Sequence, residues 1–193
     1  MNLGGILHHL EALVGFDTQN PPRLIDGDAA IVAYCRDAVG NGFKTRTWDH
    51  GDGHVSWLAV RGRPSTLFNV HLDTVPNGEG WQTDPQRLNV EDGRARGRGA
   101  CDIKGAAAAL LALAGEGVPD LALLFTSDEE GAGGCCVQRF LDDGEAEPFR
   151  RVVVAEPTQC RFCFLRRLTQ FWARWKTNRH PNANFISQRR FWL

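Results

Sequence analysis

A set of histidine and carboxylate residues stands at or just beyond the apolar runs of this chain. The set comprises His71, Asp73, Asp102, Glu129, Glu130 and Glu156. Imidazole together with several carboxylates is the ligand set of hydrolytic zinc sites. Because functional groups of open α/β sheets collect just past the carboxyl ends of the strands, this placement predicts a metal centre.

His71 and Asp73 follow the apolar run 66–70 and lie two residues apart. At that spacing their side chains point the same way if the extended geometry persists. Asp73 could then bind a metal, or it could orient His71 by accepting its other N–H. Taken alone, the two residues could equally be a hydrogen-bonded His–Asp pair on the surface.

Glu129 and Glu130 are adjacent acids after the apolar run 121–126. Adjacent acids repel each other, so the pair needs an explanation. A metal site provides one, because one carboxylate can hold a cation while the other takes a proton from water. The alternative is a solvated loop that also includes Asp128. Glu156, which precedes Pro157, is an ordinary strand-end acid unless it joins the other positions.

Asp102 stands at the predicted start of an Ala-rich helix, 101–114. An acid at such a position is by itself more often a helix cap or a first-turn residue than a ligand. Jointly, His71, Asp102, Glu130 and Glu156 could hold two divalent cations, with one carboxylate bridging them.

Other polar motifs carry weaker signals. Lys104 follows the Gly-rich segment 97–99, but the Gly-Lys-Ser/Thr order of a phosphate loop is absent. Cys160 and Cys163 form a CxxC without a second pair at zinc-finger spacing, and we interpret them as incidental thiols. The histidines without acid or cysteine neighbours at ligand spacing are predicted to be surface residues. They are His8, His9, His50 and His54.

Apolar periodicity predicts the elements that position these residues. Strands are predicted at 44–48, 56–60, 66–70, 94–98, 121–126 and 151–155, with a long loop at 77–93. Helices are predicted at 3–15, 29–39, 101–114 and 135–141. Strands that alternate with helices indicate a three-layer α/β fold, a mostly parallel sheet with helices on both faces.

The charge distribution divides the chain in two. Residues 1–160 hold all 23 acidic residues and 14 of the 22 Lys and Arg residues, a net charge of −9, whereas residues 161–193 carry +8. The second part also holds three of the six tryptophans and no glycine. We therefore predict a partial metallohydrolase catalytic domain at 1–160 and a separate basic, Trp-rich tail at 161–193.

The remaining bulk features indicate a cytoplasmic protein. No run reaches the ~18–20 apolar residues of a membrane span, and residues 1–5 lack the basic region of a signal peptide. Without such a signal, the six cysteines are typical of free thiols rather than a disulfide framework.

Five segments in this order resemble the motifs of the dizinc deacylase and carboxypeptidase family. The segments are 69–76 (NVHLDTVP), 81–85 (WQTDP), 97–105 (GRGACDIKG), 126–131 (TSDEEG) and 155–158 (AEPT). The family includes acetylornithine deacetylase, acetylcitrulline deacetylase and succinyl-diaminopimelate desuccinylase. The resemblance covers about residues 1–160, and the sequences of the motifs are most similar to those of the acetylcitrulline and acetylornithine branch.

The resemblance implies a role for each candidate residue and a dizinc site, with Co²⁺ as a possible substitute. His71, Glu130 and Glu156 would each bind one Zn²⁺, and Asp102 would bridge both. Asp73 would orient His71, and Glu129 would be the general base. The implied reaction is hydrolysis of the amide of an N-acyl amino acid, a small-molecule partner in arginine biosynthesis.

The resemblance also implies parts that this sequence does not contain. Family members are nearly twice as long, with an inserted lid through which they form homodimers, a Gly-His-Ser/Ala motif and a final histidine ligand. Four of the five protein ligands are therefore matched. From the abrupt change after Cys160, we expect residues from about 161 onward to be non-native sequence, as after a frameshift, and the activity to be impaired.

The sequence also leaves other functions open. The chain could be a non-catalytic remnant that still binds metal, or a desuccinylase or dipeptidase of the same family. The basic tail, with Trp172, Trp175 and Trp192, could in principle stack on single-stranded nucleic acid. The acidic body opposes a polyanion, so no nucleic-acid partner and no membrane partner is predicted.

Overall fold

The structure, a computed structural model, describes residues 2–22, 25–131 and 135–157 and the backbone of residues 164–167. Within these residues the chain forms four α-helices and eight strands. The helices are α1 (Leu3–Gly15), α2 (Ala30–Val39), α3 (Gly105–Gly115) and α4 (Cys135–Asp142). The strands are β1 (Lys44–Asp49), β2 (Val55–Arg61), β3 (Thr66–His71), β4 (Asn89–Glu91), β5 (Arg94–Arg96), β6 (Leu121–Thr126), β7 (Arg151–Val154) and β8 (Phe164–Arg167).

Six of these strands form one sheet in the order β1-β2-β6-β3-β7-β8. The three central strands, β6, β3 and β7, are parallel, and antiparallel strands flank them on both sides. β8 lies beyond the boundary predicted at residue 160 and pairs with β7. β4 and β5 form a separate hairpin.

Helices cover both faces of the sheet, which confirms the predicted three-layer α/β fold. On one face, helices α1, α2 and α3 enclose the main core around the buried side chains of Trp57, Leu111 and Phe125. On the other face, α4 contributes Phe140 to a smaller core under β2 and β6. Among the described residues, no helix combines the length and the apolarity needed to cross a bilayer.

The predicted helix 101–114 begins later than expected. Asp102 (φ −122°) and Ile103 (φ −144°) are not helical, and α3 begins only at Gly105. The side chains of Ile103 and Lys104 are almost completely buried. The chain therefore forms an irregular turn over Ala100–Lys104, with Ile103 and Lys104 directed into the protein and the Asp102 side chain half exposed.

The predicted loop 77–93 also contains structure that was not expected. Its last residues form β4, which pairs with β5 in a tight hairpin. The two turn residues, Asp92 (φ 52°) and Gly93 (φ 70°), both have positive φ, as a type I′ turn requires. Asp-Gly between two short strands is the sequence signal for this hairpin.

Candidate metal centre

The parallel pairing of the three central strands brings the predicted site residues to one edge of the sheet. His71 at the end of β3 is opposite Thr126 at the end of β6, and Asn69 is opposite Val154 at the end of β7. Residues that follow the three strands therefore lie beside one another, as the sequence predicts.

His71 is buried, with 3% of its surface exposed, and carboxylates lie near both of its ring nitrogens. Its Nδ1 is 2.9 Å from the backbone oxygen of Asp73. Its Nε2 has no hydrogen-bond partner among the described residues. This nitrogen lies 3.3 Å from Asp102 Oδ1, 3.8 Å from Glu156 Oε1 and 3.9 Å from Glu129 Oε2. A buried nitrogen without a partner, surrounded by carboxylates, fits a metal ligand.

Asp73 is also buried and joins two segments of the site. Its Oδ1 lies 3.3 Å from His71 Nδ1 and accepts a hydrogen bond from the backbone N–H of Glu129 at 3.2 Å. Its Oδ2 accepts from the N–H of Glu130 and from Asn20 Nδ2, both at 2.8 Å. With both oxygens engaged in this way, Asp73 is arranged to orient its neighbours.

His71, Asp102 and Glu130 each offer a ligand atom, and these atoms all lie within 4.8 Å of one another. The side chains of Asp102 and Glu156 are 50% and 33% exposed, so both can be reached from solvent. One nitrogen and several carboxylate oxygens around one space form a donor set that fits zinc.

In the described part of the chain, several carboxylates surround the one histidine of this cluster. Burial, reinforced by the neighbouring carboxylates, raises the pKa of Glu130 and that of Glu156 to about 7, against the opposing effect of His71. Burial also raises the pKa of Glu129. Burial alone would lower the pKa of His71, but the nearby Asp102 and Asp73 carboxylates raise it well above its ordinary value. A cation would relieve this repulsion between carboxylates.

All six residues predicted from the sequence therefore lie in one cluster, although Asp102 reaches it from an irregular turn and not from a helix. The roles assigned to them as ligands, orienting residue and base stay predictions. The basic tail and the Cys160–Cys163 pair lie outside the described side chains.

The prediction that His54 is a surface residue was wrong. His54 is partly buried, and its Nδ1 lies 2.8 Å from Asp128 Oδ2. The same oxygen accepts the backbone N–H groups of Cys135 at 2.6 Å and Cys136 at 2.9 Å, which begin α4. The Cys136 thiol donates to Val55 O at 3.3 Å, and burial raises its pKa to about 12. These contacts satisfy the cluster internally, and we interpret it as structural.

Two further residues at the site were missed. Asn20 orients Asp73, and its side chain occupies the space where a Cβ on Gly131 would lie, only 2.5 Å away. Lys104 is completely buried, and its Nζ donates to Phe16 O at 2.8 Å. Burial lowers the pKa of Lys104 to about 8. No local pattern in the sequence predicts the contact of Asn20 with Asp73 or that of Lys104 with Phe16 O.

Comparison with known proteins agrees with this geometry. The model of Peptidase family M20/M25/M40 matches residues 67–162, which include all six site residues. An N-acetyl-L-citrulline deacetylase from Xanthomonas campestris pv. campestris is 52% identical over 156 residues. The chain belongs to Peptidase family M20/M25/M40. A succinyl-diaminopimelate desuccinylase from Acidiphilium cryptum is 39% identical over 147 residues.

The chain spans less than half the length of these relatives. The match to the deacetylase covers 81% of this chain and 42% of the relative, and the match to the desuccinylase covers 70% and 38%. The shared part of this M20 family member is the segment that carries the cluster.

Solved structures share the fold at low sequence identity. Human carnosine dipeptidase 1 superimposes with a TM-score of 0.66 and 20% identity, over 79% of this chain and 38% of that protein. An M20 family metallo-carboxypeptidase from Sulfolobus solfataricus superimposes with a TM-score of 0.62 and 20% identity, over 80% of this chain and 37% of that protein. At this identity the likeness supports the three-layer fold of the M20 segment and no more.

Proposed function

We propose that this M20 family member is a zinc-dependent amide hydrolase that removes the acyl group of an N-acyl amino acid. One observation carries the proposal: the buried Nε2 of His71 makes no hydrogen bond to any described residue and lies 3.3–3.9 Å from three carboxylates. The 52% identity to an N-acetyl-L-citrulline deacetylase makes N-acetylcitrulline the first substrate to test. With that substrate, the activity would serve arginine biosynthesis in the cytoplasm.

In this proposal His71, Glu130 and Glu156 would each hold one of two zinc ions, and Asp102 would be shared between the two. A bound zinc ion supplies Lewis acidity and lowers the pKa of a coordinated water toward about 7. Asp73 holds His71 through Nδ1 and fixes the backbone of the Glu129–Glu130 segment.

Glu129 is the proposed general base. Its Oε2 lies 3.9 Å from His71 Nε2, and half of its side chain is exposed, so substrate and water can reach it. Burial raises the pKa of Glu129, and the neighbouring acids act in the same direction. Glu129 takes a proton from the attacking water and later gives it to the leaving amine.

The test is an assay of zinc-loaded protein with N-acetylcitrulline. The Glu129→Gln variant should lose about 10²–10⁴-fold in kcat and keep its zinc, because Glu129 is not a proposed ligand. Glu147→Gln, at an exposed position after α4, is the matched control and should keep full activity. A Glu129→Gln variant within a few-fold of the unmodified protein would remove Glu129 as the base.

A second candidate is removal of a succinyl group from N-succinyl-diaminopimelate. The 39% identity to the Acidiphilium cryptum desuccinylase favours it, since that similarity spans 70% of this chain. Running both substrates in the same assay separates the two. Release of neither acetate nor succinate by the zinc-loaded protein would contradict the proposed function.

A further inference from the structure

Asn20 enters the metal centre from a segment of backbone that is itself fixed. The residue is almost completely buried, with 2% of its surface exposed. Its backbone N–H donates to Thr74 O at 2.7 Å, and the N–H of Thr74 donates to Thr18 O at 2.8 Å. Segment 18–20 therefore runs parallel to the chain that follows β3 and sets the direction from which the Asn20 amide approaches the site.

The Asn20 amide and the backbone of Glu130 share one acceptor. Asn20 Nδ2 and the N–H of Glu130 each donate to Asp73 Oδ2 at 2.8 Å. The other oxygen of Asp73 accepts the N–H of Glu129 at 3.2 Å and lies 3.3 Å from His71 Nδ1. Because several donors fix the orientation of this carboxylate, a displacement of the amide is passed on to the loop that carries Glu129 and Glu130.

Gly131 meets the same amide from another side. A Cβ on Gly131 would lie 2.5 Å from both Nδ2 and Oδ1 of Asn20 and 2.7 Å from its Cγ. A side chain at 131 would therefore push the amide away from Asp73. The backbone of Gly131 is not in the left-handed region, so conformational freedom does not explain the glycine. The close approach of Asn20 does.

We propose that the contact between Asn20 and Gly131 positions the Glu129–Glu130 segment in the metal centre. The amide is a spacer against Gly131 and a hydrogen-bond donor to Asp73, so it fixes how closely the loop approaches. Asn20 is thus a positioning residue that acts through Asp73 and the loop backbone. The inference rests on the proposed function, in which the segment supplies the base and one ligand of the metal.

A double-mutant cycle tests the contact, with zinc affinity as the first readout and kcat for N-acetylcitrulline as the second. Gly131→Ala should weaken zinc binding about 100-fold and lower kcat about 100-fold, the loss expected from a displacement of about 1 Å. Asn20→Ala removes the donor but forces nothing aside, and should lower both about fivefold, the equivalent of one hydrogen bond. The double variant should match Asn20→Ala, because the added methyl group then takes the space of the lost amide.

Gly115→Ala is the matched control. Gly115 is the last residue of α3, and a Cβ there would meet nothing within 4 Å, so both readouts should stay those of the unmodified protein. Zinc affinity and kcat are taken per folded molecule, with kcat at saturating zinc, so that a loss of stability alone does not count. KM for N-acetylcitrulline should change little in the Asn20 and Gly131 variants.

Recovery of the double variant to the level of Asn20→Ala supports the proposal. Losses that multiply, to about 500-fold in the double variant, would overturn it. Unchanged zinc affinity and kcat in Gly131→Ala would overturn it as well. If Gly131→Ala does not fold, Asn20→Leu keeps the shape of the amide without its donor, and it should lose about fivefold in zinc affinity. Unchanged affinity in that variant contradicts the role.

Failure of the proposed function would be visible separately. If the unmodified zinc-loaded protein hydrolyses no N-acyl amino acid, the proposed reaction fails. The zinc affinities of the same four proteins then decide whether Asn20 and Gly131 position the segment, because that readout does not depend on hydrolysis.

Discussion

Two histidine–carboxylate clusters lie on either side of one loop, residues 127–131, and they differ in how their polar atoms are satisfied. In the first, His71 Nε2 makes no hydrogen bond within the part of the chain that the structure describes, and three carboxylates lie within 4.0 Å of it. In the second, Asp128 accepts hydrogen bonds from His54 and from two backbone N–H groups. Both have the residue types of a metal site, and atoms within 4.8 Å.

The difference shows that donor types and proximity do not suffice to identify a metal site. Buried polar groups are normally paired, so a buried nitrogen that makes no hydrogen bond to a described residue and faces three carboxylates fits a ligand of a bound cation. The second cluster needs none, since its Cys136 thiol is protonated and donates to Val55 O. Spare bonding capacity separates a site for a ligand from a network that holds the fold.

The largest expected effect tests this distinction directly. His71→Ala should lower zinc affinity by more than about 100-fold, because even residues behind the ligands change affinity 10–100-fold. His54→Ala should keep the zinc content of the unmodified protein. Metal analysis after dialysis against a weak chelator measures both. If His54→Ala loses its zinc and His71→Ala keeps it, the two clusters have been assigned the wrong way round.

A smaller effect is expected on stability from the second cluster. Asp128→Ala removes the oxygen that accepts the first N–H groups of α4, one of them buried, which should cost roughly 2–4 kcal/mol in the free energy of unfolding. Asp128→Asn, which keeps an accepting oxygen, should lose less. Denaturant unfolding measures the change, and the zinc content of the folded protein should stay as it was. Loss of zinc from the folded Asp128→Ala variant would mean that the second cluster binds metal.

The smallest effect is a dependence of stability on pH in metal-free protein. The pKa values of Glu130 and Glu156 are raised from 4.5 to about 7. The folded state therefore holds protons that the unfolded state has lost, and stability should fall as pH rises from about 4.5 to about 7. Partial exposure screens the effect, so we expect a fall of only about 5 °C in Tm.

Zinc binds the deprotonated carboxylates and should therefore oppose this fall in the upper part of the same pH range, whereas His54→Ala should leave the fall unchanged. A double Glu130→Gln, Glu156→Gln variant without metal should be nearly flat over the same range. Thermal melts at pH 5, 6, 7 and 8 make the comparison. A metal-free protein that gains stability over this range would show that the carboxylates are not crowded in solution.

Local patterns predict the fold and the first cluster well for a physical reason. Each site residue stands at the end of a strand, within four residues after one, or just after a Gly-rich turn, and strands such as 121–126 are visible as short apolar runs. Parallel strand order then brings their ends together. What local patterns miss depends on contacts between distant residues: His54 with Asp128, 74 residues apart, and Asn20 with Asp73, 53 apart. The irregular turn at Asp102 was missed because alanines predict a helix regardless of what packs beneath it.

The buried ammonium of Lys104 has a consequence for chemical labelling. Lys104 is 0% exposed, whereas Lys44, on the edge strand β1, is exposed. An amine-reactive reagent therefore reaches Lys44 in the folded state and Lys104 only when the contact between the Ala100–Lys104 turn and α1 opens. Burial is the main cause of the lowered pKa of Lys104, so this amine reacts like that of any exposed lysine once the contact has opened. The ratio of the two labels reports how often the segment that carries Asp102 detaches from the rest of the fold.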